Sequence, residues 1–525
     1  MTDSIFRRLP VGIQSFKVIR EENYLYVDKS DIVWNMVNLG DKYNYLSRPR
    51  RFGKSVLVDT LESYLEGRKD LFEGLKIMQL EKDWKQYPVI RLDMSRGGAN
   101  EDTLRSYLNL RFKDYEEKYN ITPDPTAMLA DRFHAIIATA YKQTGLRVAV
   151  LIDEYDSPLQ HSWRTPEHEK CTGVYREVFA ILKADDEYEQ FIFITGITKF
   201  TQISLFSVLN NLSNISFMPE YATICGITEE EIKENFMPEI KQMSEANNWS
   251  VQETHDRLKA YYDGYHFSRR NMVDVYNPYS LVNALKSKEI INFWASSGAT
   301  SLLPKFVDNA ELRMKNFEHC RIMRNTLELS DVSGGGAELF LYQSGYLTIK
   351  DSDEFGYILG FPNEEVKQAL YEMALPALTL RAKSDIQSIQ ANLYAQLGTG
   401  QIDEAMKSLK ALIADVPYSN KKLASMDMEE RYRLIISTIL NAIGLNVEVE
   451  KMISTGRIDM TVKTSRYIYV IELKLCNNGG KDAATEQILN RQYMEPFKAD
   501  KRKVIGLGIE LDENGKGLLD WKRTE

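Results

Sequence analysis

Arg48-Pro49-Arg50-Arg51-Phe52-Gly53-Lys54-Ser55 decides how the first half of the chain is read. Its last three residues are the closing half of a phosphate-binding loop, whose general form is Gly, four residues, then Gly-Lys-Ser or Gly-Lys-Thr. Arg48 stands where the first Gly of that pattern belongs. The flanks supply the context such a loop needs. Tyr43-Asn44-Tyr45-Leu46 reads as a short strand leading in, and Val56, Leu57, Leu61, Tyr64 and Leu65 recur at helical spacing behind it. A strand, a tight loop and a helix N-terminus make an anion site, because unpaired backbone N–H groups and the positive end of the helix dipole converge there. Lys54 is then expected at the β- and γ-phosphates of a nucleotide and the Ser55 hydroxyl on Mg²⁺, with Arg51 and Gly53 among the nucleotide-binding residues. The bland alternative is a basic turn before an ordinary helix.

Further along, Arg147-Val148-Ala149-Val150-Leu151-Ile152-Asp153-Glu154 is an unbroken apolar run ending in two acids. That is how a buried parallel strand delivers carboxylates to the C-terminal edge of a sheet. Opposite a Gly-Lys-Ser loop, Asp153 is expected to hold Mg²⁺ and Glu154 to orient or deprotonate the attacking water. Phe191-Ile192-Phe193-Ile194-Thr195-Gly196 ends a third strand; Thr195 is expected to sense the γ-phosphate, or else Thr-Gly is a plain strand-ending turn. Lys199 follows without an assigned role. Residues 101–143 read as helical, so strands and helices alternate into a mostly parallel sheet covered on both faces. From Thr228, a capped helix start, the pattern turns helical. The aromatic turns Tyr261-Tyr262-Asp263-Gly264-Tyr265-His266-Phe267 and Tyr276-Asn277-Pro278-Tyr279 are read as packing between helices. Gly334-Gly335-Gly336 is read as a turn, and residues 364–415 as a polar-rich helical connector.

The last hundred residues carry a second set of signals. A helix from Met428 ends at Gly444; a turn and strand follow over Thr455 to Val462, then the strand Tyr467-Ile468-Tyr469-Val470-Ile471-Glu472-Leu473-Lys474-Leu475. Side chains alternate faces, so Glu472 and Lys474 share one face with Ile468 and Val470. Acids seldom sit in such an apolar strand without a partner. Asp459 comes one strand earlier and falls opposite or diagonal to Glu472 if the two strands form a hairpin. Paired carboxylates make an oxygen-rich site for Mg²⁺ or Mn²⁺, which lowers the pKa of a bound water and neutralises a phosphate. Lys474 on the same face can stabilise developing charge. Asp, about a dozen residues, then Glu-x-Lys on a strand is the PD-(D/E)XK nuclease pattern, with Gly456-Arg457-Ile458 in place of its Pro. Glu430 is expected as a third acid, and Gln487 as a group that orients water or touches phosphate. Lys481, Arg491, Lys498, Lys501, Arg502 and Lys503 offer positive charge to a phosphate backbone, or else form a solvated surface.

Composition sets the outer limits. With 525 residues, two to four domains are expected. A net charge of -9 excludes a protein coated in positive charge but leaves room for a local basic groove. Cys171, Cys225, Cys320 and Cys476 are far apart, so neither a disulfide framework nor a zinc site is indicated. No apolar leader or membrane-length run is visible, and the cytoplasm is the expected compartment.

Together the motifs resemble a family of mostly uncharacterised bacterial and archaeal proteins that join an AAA-ATPase-like domain to a C-terminal PD-(D/E)XK nuclease-like domain. The matching stretches are Tyr26 to Ser30, Arg48 to Ser55, Leu151 to Asp156, Thr195 to Lys199, Tyr262 to Tyr265, and Gly456 to Asp459 with Glu472 to Lys474. The resemblance implies an α/β chain: a P-loop NTPase sheet domain over 1–225, a mainly helical lid or winged-helix-like region over 226–360, a connector over 361–417 and a restriction-endonuclease-like α/β domain over 418–525. It implies ATP with Mg²⁺ at Lys54, Ser55, Asp153 and Glu154, and a Mg²⁺- or Mn²⁺-dependent phosphodiesterase site at Asp459, Glu472 and Lys474 with Glu430 as helper. The expected partners are ATP and DNA, with RNA as the alternative, no membrane, and a homo-oligomer left open. The competing reading keeps the ATP switch but makes the nuclease fold a docking module only.

Overall fold

The apolar runs at 43–47, 148–153 and 189–196 become neighbouring strands of one sheet. The computed structural model describes residues 8–124, 126–200, 211–296, 303, 317–330, 336–379, 383–414 and 427–525. These fall into two compact units that meet in the chain between Asn363 and Glu364. In the first unit the sheet strands are β1 (Tyr43–Ser47), β2 (Val89–Asp93), β3 (Val148–Asp153), β4 (Glu189–Gly196) and β5 (Ser213–Asn214). Their order is β2-β3-β4-β1-β5, with every neighbouring pair parallel. All their C-terminal ends therefore lie along one edge. There Asp93 pairs in register with Asp153, and Ser47 with Gly196.

Every residue of β3 is buried, as a strand covered on both faces requires. Helix α1 (Lys54–Leu65) starts at the functional edge and buries Leu57, Val58, Leu61, Tyr64 and Leu65. The expected helical span resolves into α2 (Glu101–Lys118), started by an Asn100/Thr103 capping box, and α3 (Leu129–Thr144), which buries Phe133, Ile136, Ile137 and Ala140. Beyond the sheet come helices Glu229–Asn235, Met237–Asn247, Val251–Tyr262 and Pro278–Ser287, and a three-stranded antiparallel sheet of Cys320–Met323, Gly356–Gly360 and Thr348–Ser352. Thr228 caps the first of these helices. Its hydroxyl accepts the Glu231 N–H at 3.3 Å, and the Glu231 carboxylate accepts the Thr228 N–H at 2.8 Å. Gly334, Gly335 and the stretch 417–420 lie outside the described residues.

The second unit holds α4 (Glu364–Thr379), α5 (Lys383–Thr399), α6 (Ile402–Ala414), α7 (Met428–Ala442) and a sheet of β6 (Asn446–Ile453), β7 (Gly456–Lys463), β8 (Tyr467–Leu475), β9 (Lys503–Leu511) and β10 (Leu518–Thr524). The strands lie in sequence order. Only β8 and β9 pair in parallel, joined by α8 (Gly480–Asn490), as a parallel pair needs a crossover. One sheet face, with Tyr469, Ile471 and Leu473, packs on Leu393, Leu409, Leu412, Ile435 and Ile439. The other, with Ile468 and Val470, packs on Ile488, Tyr493 and Phe497. The period-2 split of β8 is the one its sequence dictates. Residues 383–414, expected as a connector, supply α5 and α6 to the first of these cores. Among the described residues no helix is long and apolar enough to cross a membrane.

Candidate functional site

The loop between β1 and α1 turns through two left-handed residues, Arg51 (φ 68°) and Gly53 (φ 87°). Glycine adopts this geometry freely; for an arginine it costs about 1–2 kcal/mol. The Arg51 guanidinium lies 4.8 Å from the ring centre of Tyr279. Lys54 opens α1, is buried, and its amine donates to the carbonyls of Arg48 and Pro49, each at 2.9 Å. Burial pulls the pKa of this amine down, while Glu154, Asp153 and Asp156 push it back up. Ser55, the next residue, lies near enough to Asp153 to lower the pKa of its carboxyl. A cavity of about 510 Å³ is lined by Gly53, Lys54, Ser55 and Glu154 and by apolar groups including Val11, Val27, Phe236 and Val282. Its size and mixed lining are those of a small-molecule site.

β3 delivers both acids to this edge. Asp153 is 2% exposed and accepts the Glu154 N–H at 2.9 Å. Glu154 sits at φ 47° and lines the cavity. Burial raises the pKa of both carboxyls, and Lys54 lowers both. A lysine at a helix N-terminus, a serine beside an aspartate and an adjacent glutamate form a donor set that fits a nucleotide phosphate with Mg²⁺. Thr195 departs from expectation. It is fully buried, donates to the Leu46 carbonyl at 2.8 Å and does not line the cavity, because β4 lies directly beside β1 and its hydroxyl is taken up by that pairing. Lys199 donates to the Glu328 carbonyl at 3.0 Å.

Two residues that sequence reasoning left unassigned hold this edge together. Asp156 accepts from the backbone N–H groups of Ile197 (3.0 Å) and Thr198 (2.6 Å), from the Thr198 hydroxyl (2.7 Å) and from Gln160. It thereby ties the loop after β3 to the loop after β4. Gly196 makes room for it, since a Cβ there would lie 2.4 Å from Asp156 Oδ1. Arg48, in the position of the missing glycine, is 1% exposed. Its Nη1 donates to the carbonyls of Ser47 (2.8 Å) and Ser216 (2.9 Å), and its Nη2 to that of Tyr221 (2.8 Å). The guanidinium carbon lies 4.1 Å from the ring centre of Phe267. The aromatic turn that carries Phe267 also brings Tyr265 edge-on to Phe52 of the loop, with ring centres 4.7 Å apart. These aromatics pack, as expected, and what they pack against is the phosphate loop.

In the second unit, β7 and β8 pair as a hairpin with Met460 opposite Ile471. Just beyond that pair, Asp459 lies close enough to Glu472 for its charge to act on the Glu472 carboxyl. The Asp459 carboxylate accepts the Leu473 N–H at 3.0 Å through Oδ2 and Arg433 Nη1 at 2.8 Å through Oδ1. Glu472 is 2% exposed. Its Oε1 accepts from Gln487 and lies 3.8 Å from Lys474 Nζ, while its Oε2 is buried with no hydrogen-bond partner among the described residues. Burial, and then the charge of Asp459, push this carboxyl up to about 8; Lys474 opposes the shift. An orphaned buried carboxylate oxygen beside a second acid is a donor set that fits a divalent cation.

The helper acid needs correcting. Glu430 is exposed, and the same helix sends Glu429 inward instead. Glu429 lies 3.9 Å from Lys474 Nζ and accepts the Leu475 N–H at 3.3 Å. The reason is helical phase: one residue turns a side chain by about 100°, and Glu429, not Glu430, shares a face with Arg433 one turn on. Among the described residues no three His, Cys, Asp or Glu side chains are grouped so as to hold an ion by themselves. The C-terminal basic residues are largely matched locally: Arg502 by Asp500, Lys503 by Glu525, Lys498 by Glu495 and Lys481 by Asp520.

A family described as predicted AAA-ATPase matches residues 10–206, and the PD-(D/E)XK nuclease superfamily matches residues 427–521. A protein of Azotobacter chroococcum mcd 1, described as an uncharacterized protein in the vnfD 5' region, is 31% identical over 531 residues, covering 98% of each chain.

Proposed function

Because the chain belongs to the family that joins a predicted AAA-ATPase domain to a C-terminal domain of the PD-(D/E)XK nuclease superfamily, we propose that it is an ATP-hydrolysing switch that governs a metal-dependent DNA nuclease. In the first unit Lys54 and the N-terminus of α1 hold the β- and γ-phosphates. Ser55 and Asp153 hold Mg²⁺, and Glu154 orients the attacking water. In the second unit Asp459 and Glu472 hold Mg²⁺ or Mn²⁺, which when bound neutralises charge on the scissile phosphate and lowers the pKa of a water. Lys474, kept between Glu472 and Glu429, stabilises the charge that develops on the phosphate oxygens. Gln487 fixes the orientation of Glu472.

The observation that carries the reading is the pair Asp459 and Glu472: two neighbouring carboxylates on adjacent strands, one with a buried oxygen that has no hydrogen-bond partner among the described residues. The assay is cleavage of single-stranded, double-stranded and branched DNA by the full-length protein with Mg²⁺ or Mn²⁺, with and without ATP. Asp459→Ala and Glu472→Ala are expected to abolish cutting, and variants that cut like wild type overturn the nuclease reading. A docking module is the second reading. It is favoured by one observation, that both Asp459 oxygens already have protein partners. A protein that binds DNA, binds no divalent ion and cuts nothing would fit that reading instead.

A further inference from the structure

We propose that Arg433 is a built-in competitor for the metal position on Asp459, and that uptake of a divalent cation transfers it wholly to Glu450. The inference rests on reading Asp459 and Glu472 as metal-binding carboxylates. Arg433 comes from α7 and is 14% exposed, with Nη1 2.8 Å from Asp459 Oδ1 and Nη2 3.2 Å from Glu450 Oε1. The other Asp459 oxygen is held by the Leu473 N–H. A cation arriving at Oδ1 therefore meets the Arg433 charge already on that oxygen. Two cations at contact distance repel in a half-buried site, so the ion binds better as Nη1 moves away.

The chain supplies a place for the displaced arginine. Glu450 has φ 54° in the middle of β6. The β6–β7 register runs through Val449 with Met460 and Lys451 with Ile458, skipping Glu450 and Asp459. This irregularity puts two acids from neighbouring strands on one guanidinium. Arginine's planar fork reaches both through two separate nitrogens in a fixed geometry, whereas a lysine would have to meet both with one. Giving up Asp459 while keeping Glu450 needs only a rotation of the arginine side chain. Glu450 also holds Arg457 Nη1 at 3.0 Å, so its carboxylate stays positioned throughout. The arrangement keeps Asp459 compensated when no metal is bound and sets the ion concentration at which the site fills.

The experiment is Mn²⁺ titration of the full-length protein by calorimetry, with thermal melting alongside. Arg433→Met is expected to bind Mn²⁺ about tenfold tighter than wild type, equivalent to about 1.4 kcal/mol. It should melt lower than wild type without metal and gain more from saturating Mn²⁺. An arginine that merely supported the site would give weaker binding when removed. Equal or weaker binding by folded Arg433→Met overturns the proposal. Should that variant fail to fold, Arg433→Lys keeps the charge without the fork and is expected to bind a few-fold tighter; equal or weaker binding overturns the proposal as well. The two levels separate cleanly. Wild type that binds no Mn²⁺ removes the metal reading and this proposal with it. Wild-type binding that is lost in Asp459→Asn but unchanged in Arg433→Met removes the proposal alone.

Discussion

Restoring the glycine that the phosphate-loop pattern asks for, by Arg48→Gly, is expected to damage the protein. Arg48 makes three charge-assisted hydrogen bonds to main-chain carbonyls at 2.8–2.9 Å and lies over Phe267 at 4.1 Å. Bonds to a charged group contribute about 1.5–3 kcal/mol each, and a cation–π contact about 0.5–2 kcal/mol. Glycine adds a backbone entropy cost of about 0.5–1 kcal/mol. Three effects offset part of this loss. Burial already pulls the guanidinium's pKa down, its Nε has no partner among the described residues, and the Tyr221 carbonyl keeps the Ile224 N–H at 3.3 Å. The expected net loss is about 3 kcal/mol, the lower end of what breaking a buried charged contact costs. Urea unfolding followed by tryptophan fluorescence should show the midpoint falling by roughly 1 M at an m-value of about 3 kcal/mol/M. A fluorescent ATP analogue should bind roughly tenfold more weakly, because the loop is no longer pinned to the residues carrying Ser216, Tyr221 and Phe267. A variant with the wild-type midpoint and equal or tighter nucleotide binding would mean that Arg48 holds nothing in place.

Lys54→Ala should weaken ATP binding by about a hundredfold, whereas Glu154→Gln should bind ATP normally and hydrolyse it about 10²–10⁴ times more slowly; ATP binding unaffected by Lys54→Ala would show the loop is degenerate. Glu429→Ala should lower DNA cleavage by about tenfold or more, through loss of Lys474's partner, while Glu430→Ala should leave it unchanged; the reverse pattern would return the helper role to Glu430. Burial beside Tyr43 raises the Glu189 carboxyl to about 8. The folded state therefore holds its proton more tightly than the unfolded chain. The resulting stability is complete below the ordinary carboxylate range and is lost as pH rises through about 8, by at most about 5 kcal/mol. Glu189→Gln should lose less stability than wild type between pH 5 and 9 in urea unfolding, and identical losses would exclude Glu189 as the source.

The strands and both acid-plus-lysine groupings were legible because they are local. An apolar run ending in acids reads as a buried strand. Period-2 alternation placed Glu472 and Lys474 on one face, and a short hairpin turn between β7 and β8 brought Asp459 near Glu472. What the sequence did not disclose depends on partners far along the chain. Arg48 is explained by Ser216, Tyr221 and Phe267, and Asp156 by the loop after β4. Thr195 has the right residue type at a strand tip, yet strand order decides whether its hydroxyl meets a neighbouring carbonyl or a ligand. The choice between Glu429 and Glu430 turns on helix phase. The signal was present in Arg433, four residues after Glu429, but only as one half of a pairing with Asp459 that no local pattern announces.

Whether Asp459 and Glu472 share one divalent ion can be seen by anomalous diffraction from crystals of the full-length protein soaked in Mn²⁺. A peak is expected within about 2.0–2.6 Å of an oxygen from each carboxylate, with the Arg433 guanidinium moved off Asp459. A Mn²⁺ peak at other residues, or none between these two at saturating ion, would contradict it.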